Sequence, residues 1–351
     1  MPPDFQNLMN DATRLTRQGK LQAATAAIQF ALKGADAVQP TNASPVTARA
    51  ADVPKLSAPK LANATAQVHA KERIIAGTHG AGLMSRGDYK LYAPPGAGVR
   101  PLPLVLMLHG CTQNPDDFAA GTAMNTLARA QGFYVLYPAQ SAKANPQRCW
   151  NWFKHNHQAR GHGEPALLVG MTQEVMRTNL IDGERVYVAG LSAGGAMAAI
   201  LGDTYPEIFA AVGVHSGLAA GIAGDLSSAL SAMKSVALPV QSRASGVATI
   251  VFHGDADTTV HPSNAARIIA ACVGTSAHAE VTQISTSGRS ATRSEYRDSD
   301  GLVRAEHWLV HGAAHAWSGG SALGSYTDPR GPDASAEMLR FFMQHPRHTR
   351  K

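Results

Sequence analysis

The sequence is short of cysteine, of charge and of long apolar runs. Three cysteines in 351 residues, Cys111, Cys149 and Cys272, exclude a disulfide scaffold and leave room for one bridge and one free thiol. Charged residues make up 16% against the roughly 25% of ordinary domains, while hydrophobic residues reach 44%. A chain that apolar and that weakly charged is not disordered throughout. No run of about 18 uncharged apolar residues occurs, which excludes a membrane-spanning helix. The start, MPPDFQNLMNDATRLTRQGK, has no basic segment followed by an apolar one. No secretory signal is visible there, so a cytoplasmic location is expected, with export as the alternative.

The length allows one large domain or two ordinary ones and buries a core without a metal or disulfide staple. The formal net charge is +6, with 15 histidines besides. The basic residues are scattered and form no stripe interleaved with aromatics, so nucleic acid is not an expected partner. Residues 4–33 carry an apolar stripe at helical spacing: Phe5, Leu8, Met9, Ala12 and Leu15, then after Gly19 Leu21, Ala24, Ile28 and Leu32. With Gly34 as a stop, residues 1–34 read as a helical hairpin too short to stay folded alone. It is expected to dock on the rest of the chain, on a second copy or on a partner. Residues 35–75 hold Pro40, Pro45, Pro54 and Pro59 amid Ala, Ser and Thr, and read as a linker.

From there to residue 347 strands alternate with helices. Tyr89–Tyr92, Leu102–Leu108, Phe133–Tyr137, Val186–Ala189, Ala210–His215, Ala248–Phe252 and His307–Val310 are strand candidates. Ala166–Met176 and Ala193–Tyr205 read as helices. The alternation predicts βαβ units and a mostly parallel sheet, an α/β fold. Residues 280–298, two polar β segments around Ser287-Gly288, read as a hairpin on the sheet edge.

Gly190-Leu191-Ser192-Ala193-Gly194 is a G-x-S-x-G pentapeptide between the apolar strand RVYVA and the helix AGGAMAAIL. That strand–turn–helix setting is what a nucleophile elbow requires: small residues on both sides of a tight turn that lifts the serine above the sheet. The plainer reading is a serine N-cap on a βα turn. A serine needs a base, and the base an orienting acid. After a later strand, His253-Gly254-Asp255-Ala256-Asp257 offers the acid; Asp257 is the choice and Asp255, on the turn itself, the runner-up. After the last strand, EHWLVHGAAHAWSGG offers His307, His311 and His315. His315 has room to reach over the sheet edge, His311 is second, and His307 lies inside the strand. The oxyanion donors are expected from the backbone N–H of Ala193 and of Cys111, in the loop LHGCTQ. Trp150, Trp152 and Phe153 follow a strand end, either as an apolar wall for substrate or as a loop packed on the core. His155, His157 and His162 lack helical metal-ligand spacing and read as a solvated loop. No metal and no cofactor is expected.

The motifs LHGCTQNPDDF, RCWNWF, RVYVAGLSAGGAMA, FHGDADTTV and HAWSGG resemble the polyhydroxybutyrate depolymerase family of α/β-hydrolases, which also includes feruloyl and acetylxylan esterases. The resemblance spans residues 85–345. It implies an α/β-hydrolase catalytic domain, taken over 76–347 with the small N-terminal helical appendage outside it, and a serine esterase with Ser192 as nucleophile, Asp257 as acid and His315 as base. It implies the same oxyanion donors, Cys111 and Ala193; relatives commonly carry a tryptophan at Trp317, which joins Trp150 and Trp152 as a substrate-binding candidate. Where relatives often have proline after that tryptophan, this chain has Ser318. Secreted relatives often bridge the cysteine of the HGC loop, and Cys149 is the candidate partner here; a cytosolic location would argue against the bridge. The implied substrate is a short-chain polyhydroxyalkanoate or its oligomers, with polysaccharide esters as the alternative. Residues 1–34 lie outside the resemblance; a contact with a granule surface or a second subunit is a separate expectation for them.

Overall fold

The structure, a computed structural model, describes residues 71–80, 86–234, 246–275 and 277–347. The expected helical hairpin over 1–34 and most of the linker lie outside the described residues. Ten strands form one sheet among them: β1 (Arg73–His79), β2 (Gly87–Ala93), β3 (Leu102–Leu108), β4 (Tyr134–Pro138), β5 (Ile181–Leu191), β6 (Ala211–His215), β7 (Ala248–Gly254), β8 (Ala279–Ile284), β9 (Ala291–Arg297) and β10 (Val303–Val310). Their order is β1-β2-β4-β3-β5-β6-β7-β10-β9-β8. From β4 to β10 neighbours run parallel. At each end the pairing turns antiparallel.

The helices are α1 (Pro115–Thr122), α2 (Met124–Gln131), α3 (Gly163–Thr178), α4 (Ala193–Thr204), α5 (Leu226–Lys234), α6 (Ser263–Val273) and α7 (Ala334–Gln344). The central strands are apolar on both faces because both faces are covered. Along β3, Leu104, Leu106 and Leu108 join a cluster with α3, α4 and α6 residues such as Leu168, Met197 and Ile268. Val105 and Met107 point the other way, toward Phe118 of α1, Ala128 of α2 and Phe341 of α7.

β1 corrects the linker boundary. It begins at Arg73, three residues inside the stretch read as linker, and pairs residue for residue with β2. Its side chains mostly face solvent, so no apolar run marks it. The polar hairpin on the sheet edge is β8–β9, and β9 continues onto β10.

The chain leaves β3 toward β4 on one side and returns to β5 on the other. Such a reversal of strand order opens a crevice beyond the carboxyl ends of the strands. The loops after β3, β5, β7 and β10 all leave from that end of the parallel strands.

Candidate active site

The turn between β5 and α4 is tight because glycines stand on both sides of Ser192. A Cβ on Gly190 would lie 2.4 Å from Gly194 C, and one on Gly194 would lie 2.1 Å from Leu108 O at the end of β3. Backbone replaces side chain at both contacts, so neither position accepts alanine. Ser192 has φ 57° and ψ −118°, a conformation that L residues rarely adopt. Its side chain makes no capping bond to α4, so the plain N-cap reading does not describe this serine. Its N–H donates to His215 O at 2.9 Å, tying the turn to the end of β6.

Asp257 is buried in the loop after β7. Its Oδ1 accepts the N–H groups of Thr259 and Val260, both at 2.9 Å. Its Oδ2 accepts Nδ1–H of His315 at 2.7 Å and faces His253 Nε2 at 3.4 Å. Burial pushes its carboxyl up, but the hydrogen bonds and charge of His253 and His315 outweigh that and hold it well below the usual carboxylate range. A carboxylate on Nδ1 leaves Nε2 of His315 as the nitrogen for proton exchange.

The two runner-up residues pair with each other. His311 Nδ1 meets Asp255 Oδ2 at 2.9 Å, Gly312 N–H donates to Asp255 Oδ1 at 2.6 Å, and His311 Nε2 meets Thr292 Oγ1 at 2.9 Å. This exposed set ties the loop after β7 to the loop after β10. His307 lies within β10.

The loop after β3 is held rigid around Cys111. Gly110 N–H donates to Gln113 Oε1 at 2.9 Å and Thr112 N–H to Gln147 O at 2.7 Å. His109 is buried; its Nε2 accepts Gln140 N–H, so Nδ1 carries the proton and donates to Gly110 O. Burial lowers its pKa to about 4, so it stays neutral. Cys111 is bridged to Cys149, the pairing that the resemblance implied. Cys272 is the free, buried thiol.

Trp150, Trp152 and Trp317 are 1%, 6% and 1% exposed, which corrects their reading as substrate walls. Trp150 Nε1–H donates to His109 O at 3.1 Å, beneath the Cys111 loop. Trp317 stacks on His215 and donates to Ser335 Oγ. Both therefore support the site from the core.

Residue patterns did not single out His215, Gln113 or Asp117. His215 Nε2 accepts Ser318 N–H at 2.9 Å, and Nδ1 meets Ser216 Oγ. Burial first, then the charge of His253 and His315, lowers its pKa to about 3. It links the serine turn to the segment just after His315. Gln113 Nε2–H donates to Asp117 Oδ2 and to Ser325 O. A polar residue closing an apolar strand, His215 after AAVGV, was the available signal. Among the described residues, no group of three or more His, Cys, Asp or Glu side chains is placed to hold a metal ion, and no helix is long and apolar enough to cross a membrane.

Non-glycine residues with left-handed backbone concentrate here. Thr112, Arg148, Ser192, Ser216 and Tyr326 adjoin the site; Ala123, between α1 and α2, is the remaining one among the described residues. Strain of that kind persists where the surroundings over-determine a functional geometry.

The family described as Esterase PHB depolymerase matches residues 87–297. The chain belongs to that family. The match includes Ser192 and Asp257 and ends before His315. The chain is 29% identical over 226 residues to the poly(3-hydroxyalkanoate) depolymerase C of Paucimonas lemoignei, covering 61% of this chain and 54% of that one. It is 32% identical over 140 residues to feruloyl esterase B of Thermothelomyces thermophilus, covering 40% and 47%. The chain thus spans about half the length of the curated relatives it matches. The solved acetyl xylan esterase from Aspergillus awamori superposes with a TM-score of 0.62 at 20% identity, over 78% of this chain and 99% of that chain. The fold of the described residues is accordingly the α/β-hydrolase fold.

Proposed function

We propose that this family member hydrolyses carboxylic esters through an acyl-enzyme on Ser192, with a short-chain polyhydroxyalkanoate or its oligomers as substrate. The observation that carries the reading is the strained, uncapped Ser192 at a glycine-walled turn, in a molecule that also holds a buried Asp257 bonded to a partly buried His315. In this mechanism His315 Nε2 takes the serine proton as Oγ attacks the ester carbonyl. The backbone N–H groups of Cys111 and Ala193 hold the oxyanion, and the start of α4 favours its charge. The intermediate collapses, and His315 returns the proton to the leaving alcohol. Water repeats the cycle, freeing the acid and Ser192. Asp257 stays ionised, orients the imidazole and stabilises its charge.

The polyester assignment is supported by the family match and by the name of the Paucimonas relative. The feruloyl esterase relative supports polysaccharide esters as the second reading. The Cys111–Cys149 bridge supports an oxidising compartment over the cytoplasm. The test is turnover of para-nitrophenyl butyrate by wild type and Ser192→Ala, beside clearing of a polyhydroxybutyrate suspension and release of ferulate from methyl ferulate. Ser192→Ala is expected to lose at least about 10³-fold in kcat on every ester the wild type uses. Clearing by wild type alone supports the polyester. Ferulate release without clearing moves the substrate to the second reading, and an active Ser192→Ala overturns the mechanism.

A further inference from the structure

Between β11 (Trp317–Ser318) and β12 (Thr327–Asp328) the chain makes a loop over residues 319–326. Its backbone is pinned. Ser321 N–H donates to Gly121 O and Ser325 N–H to Asp117 Oδ1, each at 2.8 Å, while Ser325 O accepts Gln113 Nε2–H at 3.1 Å. Gly324 packs so closely on α1 that a Cβ there would meet Gly121 Cα at 2.4 Å. A loop held this firmly has no freedom to tuck its apolar side chains away. Yet Leu323 is 86% and Tyr326 47% exposed.

Tyr326 sits between two parts of the site. Its carbonyl accepts Trp317 N–H at 2.7 Å, two residues beyond His315. Its hydroxyl meets Thr112 Oγ1 at 3.1 Å, one residue beyond Cys111. Thr112 donates its own proton to Cys111 O, so the tyrosine hydroxyl is the donor in that bond. Both Tyr326 and Thr112 have left-handed backbone, φ 52° and 66°. The phenol ring therefore bridges the segment after the base and the loop of the oxyanion donor, and it is fixed at both ends.

We infer that Tyr326, extended outward by Leu323, is the specificity-determining surface of this site and takes the apolar chain flanking the scissile ester. The inference rests on the esterase reading given above. An aromatic ring tied to Thr112, next to Cys111, offers apolar area at little entropic cost, and the exposed Leu323, three residues earlier on the same pinned loop, adds to it. Long or polymeric apolar esters gain from both residues; an acetyl ester of a small alcohol reaches neither fully.

The experiment compares kcat/KM along two series, para-nitrophenyl esters from acetate to octanoate and alkyl butyrates from methyl to hexyl. Tyr326→Ser is expected to flatten the chain-length preference about tenfold in at least one series, and Leu323→Ser about threefold in the same one. Tyr326→Phe keeps the ring and is expected to keep the preference. Leu302→Ser, an exposed leucine beyond β9, serves as the control and is expected to leave it intact. Leu323 is so exposed that its variant folds even if Tyr326→Ser does not. An unchanged preference in both serine variants overturns the inference. So does a wild type that hydrolyses esters through Ser192 with no chain-length preference, an outcome that leaves the esterase reading standing. Loss of that reading would instead show as an active Ser192→Ala.

Discussion

Ser318 shows how much can hang on one amide. Its N–H donates to His215 Nε2, and His215 O in turn receives Ser192 N–H. Proline, often found at this position in the resembling family, has no N–H to give. Ser318→Pro is therefore expected to leave the buried imidazole nitrogen unpaired and lower stability by about 1–3 kcal/mol. The urea midpoint measures it, and an unchanged midpoint would refute it. Asp257→Asn keeps the shape of the pair but favours the wrong imidazole tautomer, so kcat should fall by about 10⁴-fold with the fold intact; steady-state kinetics beside a circular dichroism spectrum decide. At this scale the serine, acid and base candidates were legible because turn chemistry and spacing after strands constrain them. His215 and Gln113 were not. Their roles depend on partners 103 and 212 residues away, which no local pattern encodes.

Among the elements, the apolar runs announced the central strands, since strands buried on both faces need apolar residues in both registers. β1 stayed hidden because its side chains face solvent and only its backbone pairs. The tryptophans misled for a related reason: composition marks an aromatic loop but not which way it faces. Two connections between elements matter for the site. The Asp255–His311–Thr292 set ties the loops that carry Asp257 and His315, so His311→Ala should cost about 0.5–1.5 kcal/mol, the range of an ordinary hydrogen bond. A thermal melt checks it, and a larger loss would mean the clamp holds more than its own loops. The Cys111–Cys149 bridge closes a separation of 38 residues that begins in the loop after β3. Removing both thiols as Cys111→Ser/Cys149→Ser is expected to lower stability by about 2–4 kcal/mol, read from urea curves of the pair and the wild type.

For the whole molecule, buried neutral histidines set the acid response. His109 and His215 have pKa values lowered by burial to about 4 and about 3, against about 6.5 in the unfolded chain. The unfolded state thus binds more protons at mildly acidic pH. The stability they lend is complete above about pH 6.5 and drains away as pH falls toward 4 and 3. The depressed carboxyl of Asp257 adds a loss in the same direction below about pH 4. Urea curves at pH 7 and pH 5 should show a loss on the order of 1–2 kcal/mol per histidine; equal midpoints would contradict it. The order of the strands was not legible at all, because pairing between distant runs decides it. That order carries a consequence for synthesis on the ribosome. β10 lies between β7 and β9, although the chain makes it after both. Until it emerges, β7 has one open edge and the β8–β9 ribbon has no sheet to join. The last parallel strand closes that gap like a keystone, and His315 leaves the ribosome only behind it. Under the proposed mechanism a nascent chain carries Ser192 and Asp257 well before His315, and is expected to stay inert until the sheet is whole.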